Sequence, residues 1–278
     1  MICVSGCTKN QGEATHPADK AIVDSQIPPG LAPQYFPPAG FVWNGFKSGN
    51  LPEARYSVAS PSTNPASHVL IIADAVFPAE AYFGLARDFI SLNYTVWIYE
   101  APGQVGAGRY FLQGDHIHTP DYRHSVNSVQ DLIITVIRPT TKQPVYILGT
   151  GTGALTALSI DADKANIGGI IVYSPYLSAP ESASVAWRGE DIPSDEWARI
   201  GHKWQKANPD LRLRAVSKVW QTEMDKASRR LTNNSLKSLS FSREPPRRLV
   251  IANSETSSLS KVQLLCAGIK SCVQLEIS

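Results

Sequence analysis

Residues 144–154 read Pro144-Val-Tyr-Ile-Leu-Gly-Thr-Gly-Thr-Gly-Ala154, and the fold turns on them. Pro144-Val-Tyr-Ile-Leu148 is an unbroken apolar run of strand length, the pattern of a strand covered on both faces. It passes without a linker into Gly149-Thr-Gly-Thr-Gly153 and then into a helix-forming stretch that opens at Ala154. A buried strand, a tight glycine turn and a helix, in that order, are the repeating step of an α/β protein with a largely parallel sheet. The five turn residues do not suit a phosphate loop, because no Lys-Ser/Thr pair follows them.

The same rhythm continues on either side. His68-Val-Leu-Ile-Ile-Ala73 is a second apolar strand, residues 79–92 place Tyr82, Phe83, Leu85, Ala86, Phe89 and Ile90 at helical spacing, and Thr95-Val-Trp-Ile-Tyr99 is a third strand. A loop with Pro102, Gly103, Gly106 and Gly108 precedes a helix over 125–138, with Val126, Val129, Leu132, Ile133 and Val136 on one face. A further strand spans 167–173. Between about 178 and 243 the strand rhythm stops, and Trp187, Trp197, Trp204 and Trp220 lie among charged residues. This predicts a helical insertion that buries an aromatic face on the body; plain core packing explains the tryptophans as well as a substrate-facing role does. The strand pattern restarts at 248–252, a short helix follows at 261–270, and a final strand at 273–277. No internal repeat interrupts the series.

Composition narrows the function classes. A chain of 278 residues, 43% apolar and 18% charged, can bury one sizeable core and is neither disordered throughout nor a multi-span membrane protein. The formal charge is +2, and short basic clusters such as Arg212, Arg214 and Lys218 read as solvated faces, so no nucleic-acid partner is expected. No cofactor motif or metal-ligand spacing is present. Residues 8–38, rich in Pro, Ala, Gln and Asp, read as a flexible tether, which leaves 39–278 as the folded domain. Ahead of it, Val4-Ser5-Gly6-Cys7 resembles the lipobox of bacterial lipoproteins, which implies a lipid on Cys7 and a periplasmic, membrane-anchored protein. Only three residues precede that tetrapeptide, so residues 1–7 are either a truncated signal or a chance match, and the second reading leaves a cytoplasmic protein. Cys266 and Cys272 are spaced for a local disulfide in an oxidising compartment; in a reducing one they are two small hydrophobes.

Tyr82-Phe-Gly-Leu-Ala-Arg87, Tyr94-Thr-Val-Trp97 and Pro102-Gly-Gln-Val-Gly-Ala-Gly-Arg109, in that order, resemble the lysophospholipase and monoacylglycerol-lipase-like hydrolases of the serine aminopeptidase S33 type. His118-Thr-Pro-Asp-Tyr122, Ser174-Pro175 and Leu265-Cys-Ala-Gly-Ile-Lys-Ser-Cys272 resemble further segments, and the likeness spans roughly residues 54–277. It implies the α/β-hydrolase fold: a mostly parallel central sheet with helices on both faces and a lid-like helical insertion. It also implies a serine at the apex of a G-x-S-x-G elbow, a histidine after the last strand, an acid after the 248–252 strand, and an oxyanion hole.

This sequence departs from that pattern at the nucleophile, the base and the oxyanion hole. The apex is Gly151, flanked by Thr150 and Thr152, of which Thr152 is the candidate substitute nucleophile. All six histidines, the last of them His202, come before the last strand; His118 and His124 could approach the elbow region. Glu255 falls at the acid's position. Asp74 stands where relatives have glycine, followed by Ala75; its carboxylate would oppose a developing oxyanion, cap the helix near residue 79, or point away. Loss of nucleophile or base costs on the order of 10⁶ in turnover, about 8 kcal/mol. The expectation is therefore a non-catalytic lipoprotein that binds or assembles at a bacterial membrane. Asp74, Thr150, Gly151, Thr152 and His118 would border an open cleft for an acyl chain or a protein partner. The alternatives are an esterase or lysophospholipase with an atypical site, and a decayed gene product.

Overall fold

The computed structural model describes residues 18–111, 116–175, 187, 189–193, 196–213, 215–233, 248–253 and 272–276. In chain order the regular elements are β1 (Val42–Phe46), β2 (Ala54–Ala59), β3 (Ser67–Ile72), a 3-10 turn (Ala79–Tyr82) that leads into α1 (Phe83–Ser91), β4 (Tyr94–Glu100), β5 (His116–Ile117), α2 (Arg123–Leu132), β6 (Val145–Thr150), α3 (Thr152–Ser159), β7 (Ile167–Tyr173), α4 (Glu196–Ala207), β8 (Ala215–Val216), α5 (Lys218–Asn233), β9 (Arg248–Asn253) and β10 (Cys272–Glu276).

One sheet runs in the order β1-β2-β4-β3-β6-β7-β9-β10, and β5 pairs with β8 apart from it. From β4 to β10 every pairing is parallel, while β1–β2 and β2–β4 are antiparallel. Apolar residues fill successive positions of β3 because both faces are covered. Leu70 and Ile72 join a core with Val129, Leu132, Leu155 and Trp220, whereas Val69 and Ile71 join one with Phe83, Ala86, Ile200 and Trp204. The chain steps from β3 outward to β4, then returns past β3 to β6 and proceeds the other way. Reversal of strand order opens a crevice beyond the carboxyl ends of β3 and β6, where ligand sites of open α/β sheets form.

The expected fold is present, with local differences. The helix expected over 79–92 begins as a 3-10 turn whose first N–H, that of Ala79, is taken by Glu100 Oε1 at 2.7 Å. The helix expected over 125–138 starts at Arg123 and finishes as a π-helical stretch, Ile133–Ile137, closed by Arg138 at φ 51°. The larger correction concerns the tether. Its described part, 18–38, lies on the body: Ala21 and Leu31 are buried. Ile22 N–H donates to Gly106 O at 2.8 Å, Glu53 N–H to Asp19 O at 2.8 Å, and Arg87 donates to the carbonyls of Phe36 and Pro37. Extended chain can be fixed by backbone donors and a few side-chain clamps without any sequence periodicity.

Where it is described the insertion is mainly helical, with one short strand, β8, paired to β5. Its α4 and α5 pack on opposite faces of the sheet; Trp204 (0% exposed) meets Phe83 edge-on at 5.5 Å, and Trp220 lies in the other core. Trp187 stacks on His202 at 4.5 Å. Core packing thus accounts for Trp204 and Trp220. The tetrapeptide with Cys7, Glu255, Cys266 and the helix expected at 261–270 fall outside the described residues; Cys272 opens β10, and its side chain is likewise outside them. Among the described residues no helix is long and apolar enough to cross a membrane.

Candidate functional site

The elbow forms where the sequence places it. β6 ends at Thr150, α3 begins at Thr152, and Gly151 between them adopts φ 52° and ψ −118°. For a residue with a side chain this conformation costs about 1–3 kcal/mol, the strain that nucleophile elbows carry. Gly153 serves a different purpose: a Cβ there would overlap Ile72 O and come within 2.7 Å of Ala73 O. The absent methyl group lets α3 seat directly on the end of β3.

Register decides what faces the apex. Ile72 pairs with Gly149, so the residues two beyond each, Asp74 and Gly151, emerge side by side at the switch point. Asp74 neither caps the helix after residue 79, whose N-cap is Pro78 without a side-chain bond, nor points away. Its carboxylate turns onto the elbow and accepts from Thr152 Oγ1 at 2.8 Å and from Thr152 N–H at 3.4 Å. The N–H of Ala75, the residue that follows Asp74 where the resemblance implies an oxyanion hole, meets Thr152 Oγ1 at 2.9 Å. Asp74 N–H donates to Tyr82 Oη at 3.0 Å, and Tyr82 Oη lies 2.7 Å from Thr150 Oγ1. Burial pushes the Asp74 carboxyl up, against the lowering effect of the Thr152 hydroxyl and of the backbone N–H groups of Thr152, Val76 and Ala75. Burial also raises the Tyr82 phenol.

Among the described residues, the space expected to be open at the vacated apex is filled. Thr150 and Thr152 are buried, and the space in front of Gly151 holds the Asp74 carboxylate. Trp197, at the start of α4, stacks edge-on against Tyr82 at 4.9 Å and tilts over Tyr173 at 6.0 Å, so the insertion does roof this corner. A cleft of about 320 Å³ lies by the same tryptophan, between Tyr35, Leu85, Arg87, Asp88, Glu196 and Trp197 rather than at Gly151.

Of the residues singled out in the sequence, Asp74, Thr150, Gly151 and Thr152 meet in one place. His118 does not join them: its Nδ1 lies 2.8 Å from Ser217 Oγ, and its ring packs on Tyr110 and Phe111. His124 is engaged with Tyr110 and His202 with Gly189 O. Glu255 is outside the described residues. Tyr82 is the residue that sequence reasoning missed, because a tyrosine at helical spacing reads as core until its hydroxyl is seen to reach a neighbouring strand. Among the described residues no group of His, Cys, Asp and Glu could hold a metal ion.

A family model described as serine aminopeptidase, S33, matches residues 63–256. A search of curated proteins by sequence found no match. Among solved structures, a soluble variant of monoglyceride lipase from Saccharomyces cerevisiae is similar with TM-score 0.61 at 12% identity, covering 91% of this chain and 87% of that one. A structure from a study of carboxylesterases of Nitrososphaera gargenis gives TM-score 0.58 at 9% identity, covering 84% and 89%. A monoacylglycerol lipase of Paleococcus ferrophilus gives 0.56 at 13% identity, covering 79% and 87%. Likenesses at such identities establish the fold. Taken with the family match they favour the esterase and lysophospholipase alternative; for an assembly subunit at a membrane they offer nothing.

Proposed function

Because this chain belongs to the serine aminopeptidase S33 family and has the α/β-hydrolase fold of esterases and lipases, we propose that it keeps that scaffold for binding and has given up acyl transfer at the elbow. The observation that carries this reading is Gly151: the strained apex that should lift an attacking oxygen carries a hydrogen. The rearranged donors support it. With Ala75 N–H spent on Thr152 Oγ1 and Thr152 N–H on Asp74, neither N–H is free to receive a carbonyl oxygen as its charge grows. Without nucleophile and base the deficit is about 8 kcal/mol of transition-state stabilisation. The ligand classes that suit this scaffold are an acyl chain or a protein partner.

The second reading is a hydrolase with an atypical site, and family membership together with one contact favours it: Thr152 Oγ1 donates to a carboxylate that burial holds above its ordinary value, an arrangement in which Asp74 could act as base. Short-chain p-nitrophenyl esters and a fluorophosphonate probe separate the two. No turnover above the buffer rate and no labelling is the expected result. Labelling of the folded protein that disappears in Thr152→Ala would establish the second reading instead. A lipid on Cys7, with the periplasmic location it implies, is a separate proposal, tested by mass spectrometry of the mature N-terminus; an unmodified thiol ends it.

A further inference from the structure

The elbow does more than lack a side chain, and the contents of the gap point to a ligand chemistry. We propose that the turn after β3 and the start of α3 together build a carboxylate-binding nest, that Asp74 is its intramolecular ligand, and that Gly151 is the residue that makes room for it. The inference rests on the reading of a non-acylating elbow and adds what the corner holds.

Three observations converge. First, the Thr152 hydroxyl and N–H at the start of α3 both meet Asp74 Oδ1, at 2.8 and 3.4 Å, although 78 residues separate the partners in sequence. A hydroxyl and an N–H dipole converging without a cation suit a small carboxylate, one oxygen of which accepts both. Second, Ala75 N–H steadies the Thr152 hydroxyl by donating to its oxygen, which leaves the hydroxyl hydrogen to point at Asp74 Oδ1. Third, occupancy and apex exclude one another: a Cβ on Gly151 would sit 2.5 Å from Asp74 Cγ and overlap Oδ2. A side chain at 151 forces the carboxylate out of its bonds with Thr152. The two departures from the family pattern, Asp at 74 and Gly at 151, are thus a single complementary change.

Two measurements test this, neither of which reads ester hydrolysis, so their failure is distinct from failure of the proposed function. In the first, Asp74→Gly empties the nest, and formate at about 0.1 M is added as the missing carboxylate. The variant is expected to melt several degrees below the parent protein, and formate to restore about 3 °C or more in a saturable way relative to equal chloride. The parent protein and Asp74→Gly/Thr152→Ala should show no such difference. Equal responses to formate and chloride in Asp74→Gly, or an equal formate response in the parent, overturn the nest. Should Asp74→Gly not fold, Asp74→Ala and Asp74→Ser are read in the same way, and failure of all three to fold even in formate also overturns it.

In the second, Gly151→Ala is made with and without Asp74→Gly. The expected result is a large drop in melting temperature in the parent background and a drop of half that size or less once the carboxylate is gone. Additive losses would mean that the two positions do not share one space.

Discussion

At the elbow, Asp74 is held by the hydroxyl and N–H of Thr152. Under the glycine loop after β4, Glu80 and Glu100 are held by a guanidinium. Arg55, fully buried, reaches Glu80 through Nη2 at 2.6 Å and Nη1 at 3.2 Å, and Glu100 through Nη1 at 3.3 Å. Its other side lies 3.4 Å over the Trp43 ring. Glu100 also accepts from Ala79 N–H and Gly106 N–H, which ties the loop to the sheet. Both clusters bury carboxylates, and in both burial pushes a carboxyl up: Asp74 in one, Glu100 in the other, the latter drawn down by Arg55 and up again by Glu80. They differ in what remains when one member is removed. Without Arg55, two carboxylates face each other in a dry pocket. Without Asp74, only neutral donors remain.

The largest expected effect follows from that difference. Arg55→Leu should lose about 3–5 kcal/mol in denaturant unfolding, because an uncompensated buried charge is left behind. Combining it with Glu80→Leu and Glu100→Leu should regain most of the loss. A silent Arg55→Leu would erase the contrast between the clusters.

A smaller effect is expected from Asp74→Asn, and it lies in pH dependence. The folded chain holds the Asp74 proton more tightly than the unfolded chain does, so this group's contribution is fully present below the ordinary value of 3.8 and declines as pH rises through the raised folded value. Unfolding midpoints followed from pH 4 upward should therefore fall less steeply in Asp74→Asn, with a difference of about 1 kcal/mol or less at neutral pH. Glu100 titrates in the same sense, so the parent slope should flatten in part only. A variant curve parallel to the parent's would remove Asp74 from the account.

The smallest effect serves as a solvent-exposed reference. Asp121 is bound by Arg123 through Nε at 2.8 Å, and that hydrogen bond is the main reason its carboxyl is held at about 2. The sign is opposite to that of Asp74: stability is present above 3.8 and is lost as pH falls toward 2. With Arg123 largely exposed, Arg123→Ala should shift the unfolding midpoint at neutral pH only slightly. A greater shift would show that exposed pairing here rivals the buried kind.

Much of the frame was legible because burial on both faces writes itself as apolar runs. The 167–173 strand falls where the residues placed it, as does the strand–turn–helix around Gly151. Asp74 could be located by sequence but not aimed, since its partner Thr152 is 78 residues away and reaches it only through the β3–β6 pairing. Arg55, Glu80 and Glu100 carry no mark in the sequence, because nothing local distinguishes a charge that will find its counter-charge inside. Residues 18–38 misled for a related reason: composition reports how much apolar area a segment can bury, not which main-chain groups it will pair.

Gly149 and Gly153 have a bearing on how such proteins drift. A Cβ on Gly149 would approach Ala154 Cα to 2.7 Å, and one on Gly153 would overlap the carbonyl of Ile72, so both glycines answer to the seating of a helix rather than to any reaction. Selection on folding alone would preserve them whether or not the elbow turns over a substrate. The spacing that advertises a hydrolase can therefore outlive hydrolysis, and the middle letter of the motif is where a lineage's change of occupation is recorded.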